Sequence, residues 1–277
     1  MEPGVFFGLA GAAAFGGGDF AGGFASRRVA GLTVVAVAHA VGLVLLLVFV
    51  AVARPAVPEP GSLALAAAAG ALSGVGLLAL YRGLAMGSMG IVTGLSGVGS
   101  VVLPLVVGWA IGRSAVAPLQ WLGVLVVLAA IGAASGATRM GVRPQAVMLG
   151  LAAALFFGLW FVLLDLAAGE ERAWALVASR ASSTVLMGGL ALAGRQYSGV
   201  GAMWPVMLLA GALDVAGSAA FVESRATIPV GVAAALTGLY PVITMLLARL
   251  ILRESLPSLG LLAVGLAVAG VALISLG

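Results

Sequence analysis

The chain has 277 residues, of which 63% are hydrophobic and 8% charged, and its formal net charge is +4. Because soluble domains carry about 25% charged residues, this composition excludes a soluble protein and indicates an integral membrane protein. All 13 basic residues are Arg and form no basic patch, which argues against nucleic-acid binding. With no Cys and a single His, neither a metal site nor a cofactor is expected.

Ten apolar windows, each about 20 residues long and able to span ~30 Å of hydrocarbon as a helix, follow one another along the chain. The runs are continuously apolar, which excludes the alternating pattern of a membrane β-barrel. We expect no cleaved leader, so the first window is itself a span. The connections are short, and function must therefore lie between helices. The predicted helices lie near residues 4–25, 32–53, 62–85, 89–111, 119–137, 145–167, 173–193, 203–222, 228–251 and 257–276.

The second half of the chain repeats the first. At a constant offset of 141 residues, Leu72 falls on Leu213 and Gly97 on Gly238. At the start of each half, in the first helix, GLAGAAAFG (8–16) matches GLAAALFFG (150–158) at an offset of 142. Duplicated hydrophobic units of this kind are typical of transporters built from internal repeats. The sequence therefore predicts a first five-helix repeat over residues 1–140 and a second over residues 141–277.

An odd number of spans in each repeat fixes how the two copies are related. Five crossings leave the chain on the opposite side, so the second copy must enter the membrane with inverted orientation. The predicted fold is an all-α membrane protein with ten transmembrane helices in two inverted five-helix repeats, and both termini lie on one side. Arg counts in the loops would place the termini outside, but this rule alone leaves the orientation open.

Three stretches resemble the ten-helix EamA-type branch of the drug/metabolite transporter superfamily. They are FGGGDFAGGFASRR (15–28), ALYRGLA (79–85) and LTGLYPVITMLLARLILRES (236–255). The resemblance covers essentially the whole chain. It implies a transporter of small metabolites such as amino acids or drugs, often an exporter in the bacterial inner membrane, with a cavity lined mainly by helices 1, 3, 4, 6, 8 and 9. Arg113 and Gly260 depart from the family pattern at positions that affect helix interfaces.

Charged residues inside the spans are candidate sites, since each costs roughly 2.5–3.5 kcal/mol to insert. Asp19 and His39 lie at similar depth on neighbouring helices, and Asp165 and Arg180 form a matching set in the second repeat. Each half is therefore predicted to hold one acid–base pair, acting as a gate or coupling site. The alternative is that such pairs only fix helix register. Arg82 and Glu223 lie nearer to helix ends.

Asp214 is the strongest single candidate, because it lies at the middle of helix 8 where the first repeat has the neutral Ser73. A central carboxylate would bind a cationic group, take up a proton, or pair with Arg82 or Arg180. This position predicts either substrate recognition or ion coupling.

Aromatic and hydroxyl side chains complete the candidate site. Tyr81, Trp160 and Tyr240 could stack on an apolar substrate, although aromatic residues in membrane helices more often pack the core or lie at the interface. Tyr240 precedes Pro241, which predicts a kink in helix 9. Hydroxyl groups are available at Ser96 and at its repeat equivalent, Thr237.

The sequence thus favours a secondary transporter, an alternating-access carrier that works as a monomer surrounded by lipid. Protons are one alternative for the coupling ion. A passive channel is a second hypothesis, because pores use the same kinds of helices. A third is an intramembrane aspartyl protease, since Gly16-Gly17-Gly18-Asp19 fits a Gly-x-Gly-Asp pattern and Asp214 could supply the second carboxylate. The duplication is explained by a carrier and not by a protease.

Overall fold

The computed structural model describes residues 3–86, 89–110, 117–137, 142–167, 172–228, 230–253 and 258–276. Within these residues the chain is 89% helical and contains no strand. Eleven helices follow one another: α1 (Pro3–Ala25), α2 (Gly31–Ala53), α3 (Pro60–Ala85), α4 (Met89–Ala110), α5 (Pro118–Ala137), α6 (Pro144–Ala167), α7 (Arg172–Ala193), α8 (Val200–Thr227), α9 (Val230–Thr237), α10 (Tyr240–Ile251) and α11 (Ser258–Leu276).

The long apolar runs fold as helices because hydrocarbon leaves every backbone polar group to be satisfied within its own segment. Among the described residues, seven helices are long and apolar enough to cross a membrane, namely α1 to α4 and α6 to α8. Shorter apolar helical stretches cover Pro118–Ala130, Tyr240–Ile251 and Leu261–Leu273. The prediction of an all-helical fold with several helices able to cross a membrane is confirmed for the described residues.

The ninth predicted helix is broken in two. Helix α9 ends at Thr237, and α10 begins at Tyr240 with Pro241 in its first turn. Proline has no N–H to donate to the preceding turn and clashes with its carbonyl, so a continuous helix is interrupted just before it. The predicted kink is therefore confirmed as a break, which places Tyr240 at a helix start.

The closest helix packing joins the first half of the chain to the second. Helix α1 packs mainly against α8, α3 against α6, α2 against α7, and α5 against α11. The main hydrophobic cluster accordingly mixes residues of both halves, such as Leu80 and Tyr81 with Ala153 and Met207. The helices of the two halves pack against one another, and this cluster is shared between them.

Glycines allow two of these contacts to become very close. A Cβ at Gly70 would lie 1.9 Å from the carbonyl oxygen of Ser179, and a Cβ at Gly211 would lie 2.4 Å from that of Ala38. Lipid supplies no hydrophobic drive between helices, so such backbone approaches stabilise association through packing. Gly70 and Gly211 are equivalent at the 141-residue offset, and so are Ala38 and Ser179. The same contact therefore occurs twice, once with the glycine in the first half and once with the glycine in the second.

The helix pair α2 and α7 is also tied at both ends. The Thr33 hydroxyl donates a hydrogen bond to the Gln196 carbonyl oxygen. At the other end, the Trp174 indole N–H donates to the Pro55 carbonyl oxygen at 3.2 Å. These bonds are repeat-equivalent, because Thr33 matches Trp174 and Pro55 matches Gln196 at the same offset. Each helix start is thus held to the segment that follows the other helix.

Candidate functional site

A cavity lies where α1, α3, α6, α7, α8 and α10 converge, and it contains about 400 Å³ of empty space. Aromatic and ionisable side chains dominate its surface. Its lining consists of Phe15, Asp19, Ser73, Leu77, Phe157, Trp160, Phe161, Arg180, Asp214 and Tyr240. The cavity therefore collects the deep charges predicted on three separate helices, apart from His39, which lies just behind it.

An ion pair forms one side of the cavity. Arg180 Nη2 lies 2.9 Å from Asp214 Oδ2, and the same nitrogen donates to Ser218 Oγ at 2.5 Å. Ser218 in turn donates to the Asp214 backbone carbonyl at 2.9 Å, one helical turn earlier on α8. The guanidinium is only 1% exposed, so Asp214 neutralises a charge that water does not reach.

The hydrogen bonds around His39 determine its protonation state. Arg180 Nη1 lies 3.1 Å from His39 Nε2, and a guanidinium has no acceptor, so Nε2 must accept. The ring proton is therefore on Nδ1, which donates to Ser183 Oγ at 2.5 Å. His39 Nε2 is also 3.6 Å from Asp214 Oδ2, but without a proton it makes no ion pair there. His39 is thus neutral in this arrangement.

Asp19 lies across the same cavity without a hydrogen-bond or ion-pair partner in the described part of the chain. It is 7% exposed, and that surface faces the cavity. Asp214, Tyr81 and Tyr240 lie within electrostatic reach of its carboxylate. An isolated carboxylate in such a place must take up a proton, bind a cation or be reached by water.

Aromatic rings form a continuous wall beside these charges. The ring of Phe15 lies 6.4 Å from that of Tyr240 and 6.5 Å from that of Trp160, both edge-on. Trp160 continues to Phe161 at 4.7 Å between ring centroids. The Trp160 indole N–H donates to Ser179 Oγ at 3.2 Å, which fixes the ring in the wall. Flat apolar surface and a carboxylate therefore face the same space.

Two predicted ion pairs are wrong. His39 bonds to Arg180 and Ser183 and not to Asp19, and Asp165 Oδ1 pairs with Arg225 Nη2 at 2.7 Å and not with Arg180. The first prediction failed because α7 packs against α2 and brings Arg180 to His39. The second failed because Asp165, although it pairs within its own half, meets Arg225 near the end of α8. The alternative pairing of Asp214 with Arg180 is confirmed.

Four other predicted residues lie outside the direct lining. Tyr81 is fully buried, and its ring fills the space in front of Gly22. Arg82 is exposed in the last turn of α3. Ser96 Oγ shares a hydrogen bond of 2.7 Å with the Tyr240 hydroxyl, and so positions that ring. Glu223, at the surface end of α8, lies 3.8 Å from Arg172.

Sequence reasoning missed several neighbours of the site. Ser218 lies four residues after Asp214, and Ser183 lies three after Arg180. Phe15 lies four residues before Asp19. Residues three or four apart lie on the same face of a helix, so each of these residues lies beside a predicted charge. This spacing is a sequence signal by which they could have been predicted.

Comparisons with known proteins were made for the sequence and for the fold. Residues 144–276 match the EamA-like transporter family. No curated protein matches the chain. Fifteen chains of solved structures resemble the fold. One of them, described as "Crystal structure of protein", aligns with a TM-score of 0.69 at 15% sequence identity, covering 99% of this chain and 97% of that chain. At that identity the likeness establishes the fold alone.

Proposed function

Since the chain belongs to the EamA-like transporter family over residues 144–276, we propose that it is an alternating-access carrier built from two inverted five-helix repeats, residues 1–140 and 141–277. The family assignment makes it a membrane transporter of the drug/metabolite superfamily with a small-molecule substrate, and members of this family are transporters and not enzymes. In the proposed count of ten spans, α9 and α10 together form the ninth.

Repeat-equivalent contacts support the inverted arrangement. A Cβ at Gly16 would lie 2.7 Å from the Tyr240 carbonyl oxygen, and a Cβ at Gly158 would lie 2.4 Å from that of Gly99. In the first contact the glycine belongs to the first half and the carbonyl to the second, and in the other contact the roles are reversed. The contacts of Gly70 and Gly211 are related in the same way. His39 and Arg180, separated by 141 residues, also hydrogen-bond each other. In the proposed arrangement, equivalent residues meet only near the symmetry axis, which would then pass beside the ion pair.

The observation that carries the proposal is the central cavity with its unpaired carboxylate. Residues from both halves line it, and its surface combines apolar aromatic rings with a few ionisable groups, as small-molecule sites do. Rocking of one half against the other would open this space to each side in turn. In this proposal Asp19 exchanges a proton for substrate, and the carrier works as a proton-driven exporter in a bacterial inner membrane, as the resemblance to the family suggests.

The ion pair disfavours the protease alternative. An aspartyl protease needs two carboxylates that share one proton. Asp19 and Asp214 do line the same cavity, but Asp214 is paired with Arg180 at 2.9 Å. One of the two carboxylates is thus engaged by a cation and is not free to share a proton, and a peptidase assay with the purified protein should detect no cleavage.

Counterflow in proteoliposomes tests the carrier against the channel. A thermal-shift screen over amino acids, amines and small drugs would first supply a ligand, because a ligand that binds the native state raises the melting temperature. A carrier should show saturable uptake of that ligand, accelerated by the same compound inside the vesicle. Flux that rises linearly with concentration and ignores internal ligand would refute the proposal. Single subunits in nanodiscs should retain binding if the carrier is a monomer.

Topology can be tested directly because the chain has no Cys of its own. Single Cys residues introduced at Glu2 and Gly277 should react with an impermeant maleimide from the same face of the membrane. Labelling from opposite faces would exclude an even number of spans. The face that labels in intact cells would also settle the orientation.

A further inference from the structure

When both of its carboxylates are ionised, the central cavity has an excess of one negative charge. Asp19 and Asp214 contribute two negative charges, Arg180 contributes one positive charge, and His39 is neutral by its hydrogen bonds. Building on the proposed carrier function, we propose that its substrate is a small amphipathic amine, with one cationic ammonium group, an apolar or aromatic body and no carboxylate. The ammonium binds Asp19, and the body lies on the aromatic wall.

The state of Arg180 excludes a substrate carboxylate. Arg180 is the one cationic side chain among the described residues that line the cavity. It is 1% exposed, and it already contacts Asp214 at 2.9 Å and Ser218 at 2.5 Å. A substrate carboxylate would have to displace Asp214 and would then face two acidic groups. An amino acid therefore brings a charge for which the cavity has no partner.

Unlike Arg180, the carboxylate of Asp19 is available to a substrate. It has no ion-pair or hydrogen-bond partner in the described structure, and its exposed surface faces the cavity. An ammonium group would supply both the missing charge and the missing hydrogen bonds. A proton does the same, so amine and proton exclude each other at this position.

The aromatic wall selects the rest of the substrate. Phe15 precedes Asp19 by one helical turn on α1, and its ring lies between those of Tyr240 and Trp160. Ring faces attract an organic cation and bury an apolar body. The positions that match Asp19 and Asp214 in the other half are Phe161 on α6 and Ser73 on α3, which also line the cavity and carry no charge. The substrate thus binds with its charge toward α1 and its body toward α6.

Three probes that share one ring test this assignment: 2-phenylethylamine, phenylalanine and 3-phenylpropionate. Binding is measured on the purified full-length protein in detergent, by thermal shift and by isothermal titration. We expect the amine to bind and the other two not to bind. Stronger binding of phenylalanine or 3-phenylpropionate, or no binding of the amine at millimolar concentration, would overturn the proposal.

Two variants locate the binding group. Asp19→Asn should weaken amine binding roughly 10- to 100-fold, the value of a hydrogen bond to a charged group. Glu59→Gln removes an exposed carboxylate at the start of α3 and should leave binding unchanged. Undiminished amine binding by Asp19→Asn would also overturn the proposal. The comparison of the three probes on the wild-type protein stands even if a variant folds poorly.

Failure of this inference can be distinguished from failure of the carrier function. Binding in detergent requires no transport, so amine binding without saturable counterflow would refute the carrier and leave the binding assignment intact. Saturable counterflow of phenylalanine, with no amine binding, would support the carrier and refute the amine.

Discussion

The lining of the central cavity and the close helix contacts differ in how well positions related by the repeat offset match. Asp19 and its equivalent Phe161, and Asp214 and its equivalent Ser73, all line the cavity, so each acid has a neutral counterpart in the other half. The close helix contacts match instead, since Gly70 and Gly211 approach equivalent carbonyls. Positions where a Cβ would meet backbone tolerate no side chain, whereas positions that border empty space are able to differ. Matching helix contacts and different cavity chemistry thus coexist at offset-related positions.

The largest effect on stability is expected at Asp214. Changing Asp214 to Ala leaves Arg180 buried without its counter-ion, which costs about 3–5 kcal/mol. The measurement is the melting temperature and folded fraction of the purified variant, compared with wild type. Asp214→Asn should also destabilise the protein, so a loss of transport in that variant alone would not identify a proton site.

The matched control for Asp214 removes both charges. Asp214→Leu combined with Arg180→Met should recover a substantial part of the lost stability, because no uncompensated charge remains in the core. If the double variant is as unstable as the sum of the single ones, the two side chains do not stabilise one another. Changing the equivalent Ser73 to Ala should have a far smaller effect.

The glycine contacts should give the next largest effect. Gly70→Ala and Gly211→Ala each force a backbone carbonyl away from a helix and should cost about 1–3 kcal/mol, by similar amounts in the two halves. Gly188→Ala is the control, because a Cβ there meets nothing within 4 Å. Thermal unfolding in detergent measures all three, and a large difference between Gly70→Ala and Gly211→Ala would contradict the symmetric packing.

The smallest effect on stability, within about 1 kcal/mol, is expected for Asp19→Asn, since this carboxylate has no partner to lose in the described structure. Its effect lies in pH dependence. Asp214, Arg180, Tyr81 and Tyr240 surround the carboxylate. Protonation removes its charge, so wild-type amine binding should weaken as the pH falls.

Titrations over a pH series measure this effect. The Asp19→Asn variant should bind the amine weakly at every pH, because it has no proton to gain. A wild-type pH dependence that persists unchanged in the variant would assign the titrating group to another residue.

The helix positions were largely predictable because hydrocarbon fixes both the length and the composition of a span. The break before Tyr240 followed from Pro241. The depth of Asp19, Arg180 and Asp214 was also readable, and all three line the cavity. Depth gives a coordinate along a helix but not the direction a side chain faces.

The partners of the charges required information that the sequence does not contain. His39 meets Arg180 because α2 packs against α7, and that contact depends on how the halves interleave. Tyr81 was a candidate either for stacking on a substrate or for packing in the core, and its ring lies against Gly22 on α1. Such packing depends on the rotation of two helices about their axes, which windows of hydropathy do not encode.

The two ties between α2 and α7 use different donors and the same kind of acceptor. Thr33 and Trp174 differ in size and chemistry, but each donates to a main-chain carbonyl, at Gln196 and Pro55 respectively. A carbonyl is present whatever residue occupies its position, so the acceptor does not depend on the side chain there. The hydrogen bond therefore depends on the side chain of the donor alone. A single substitution at Thr33 or at Trp174 would consequently change one end of the pair and leave the other end intact.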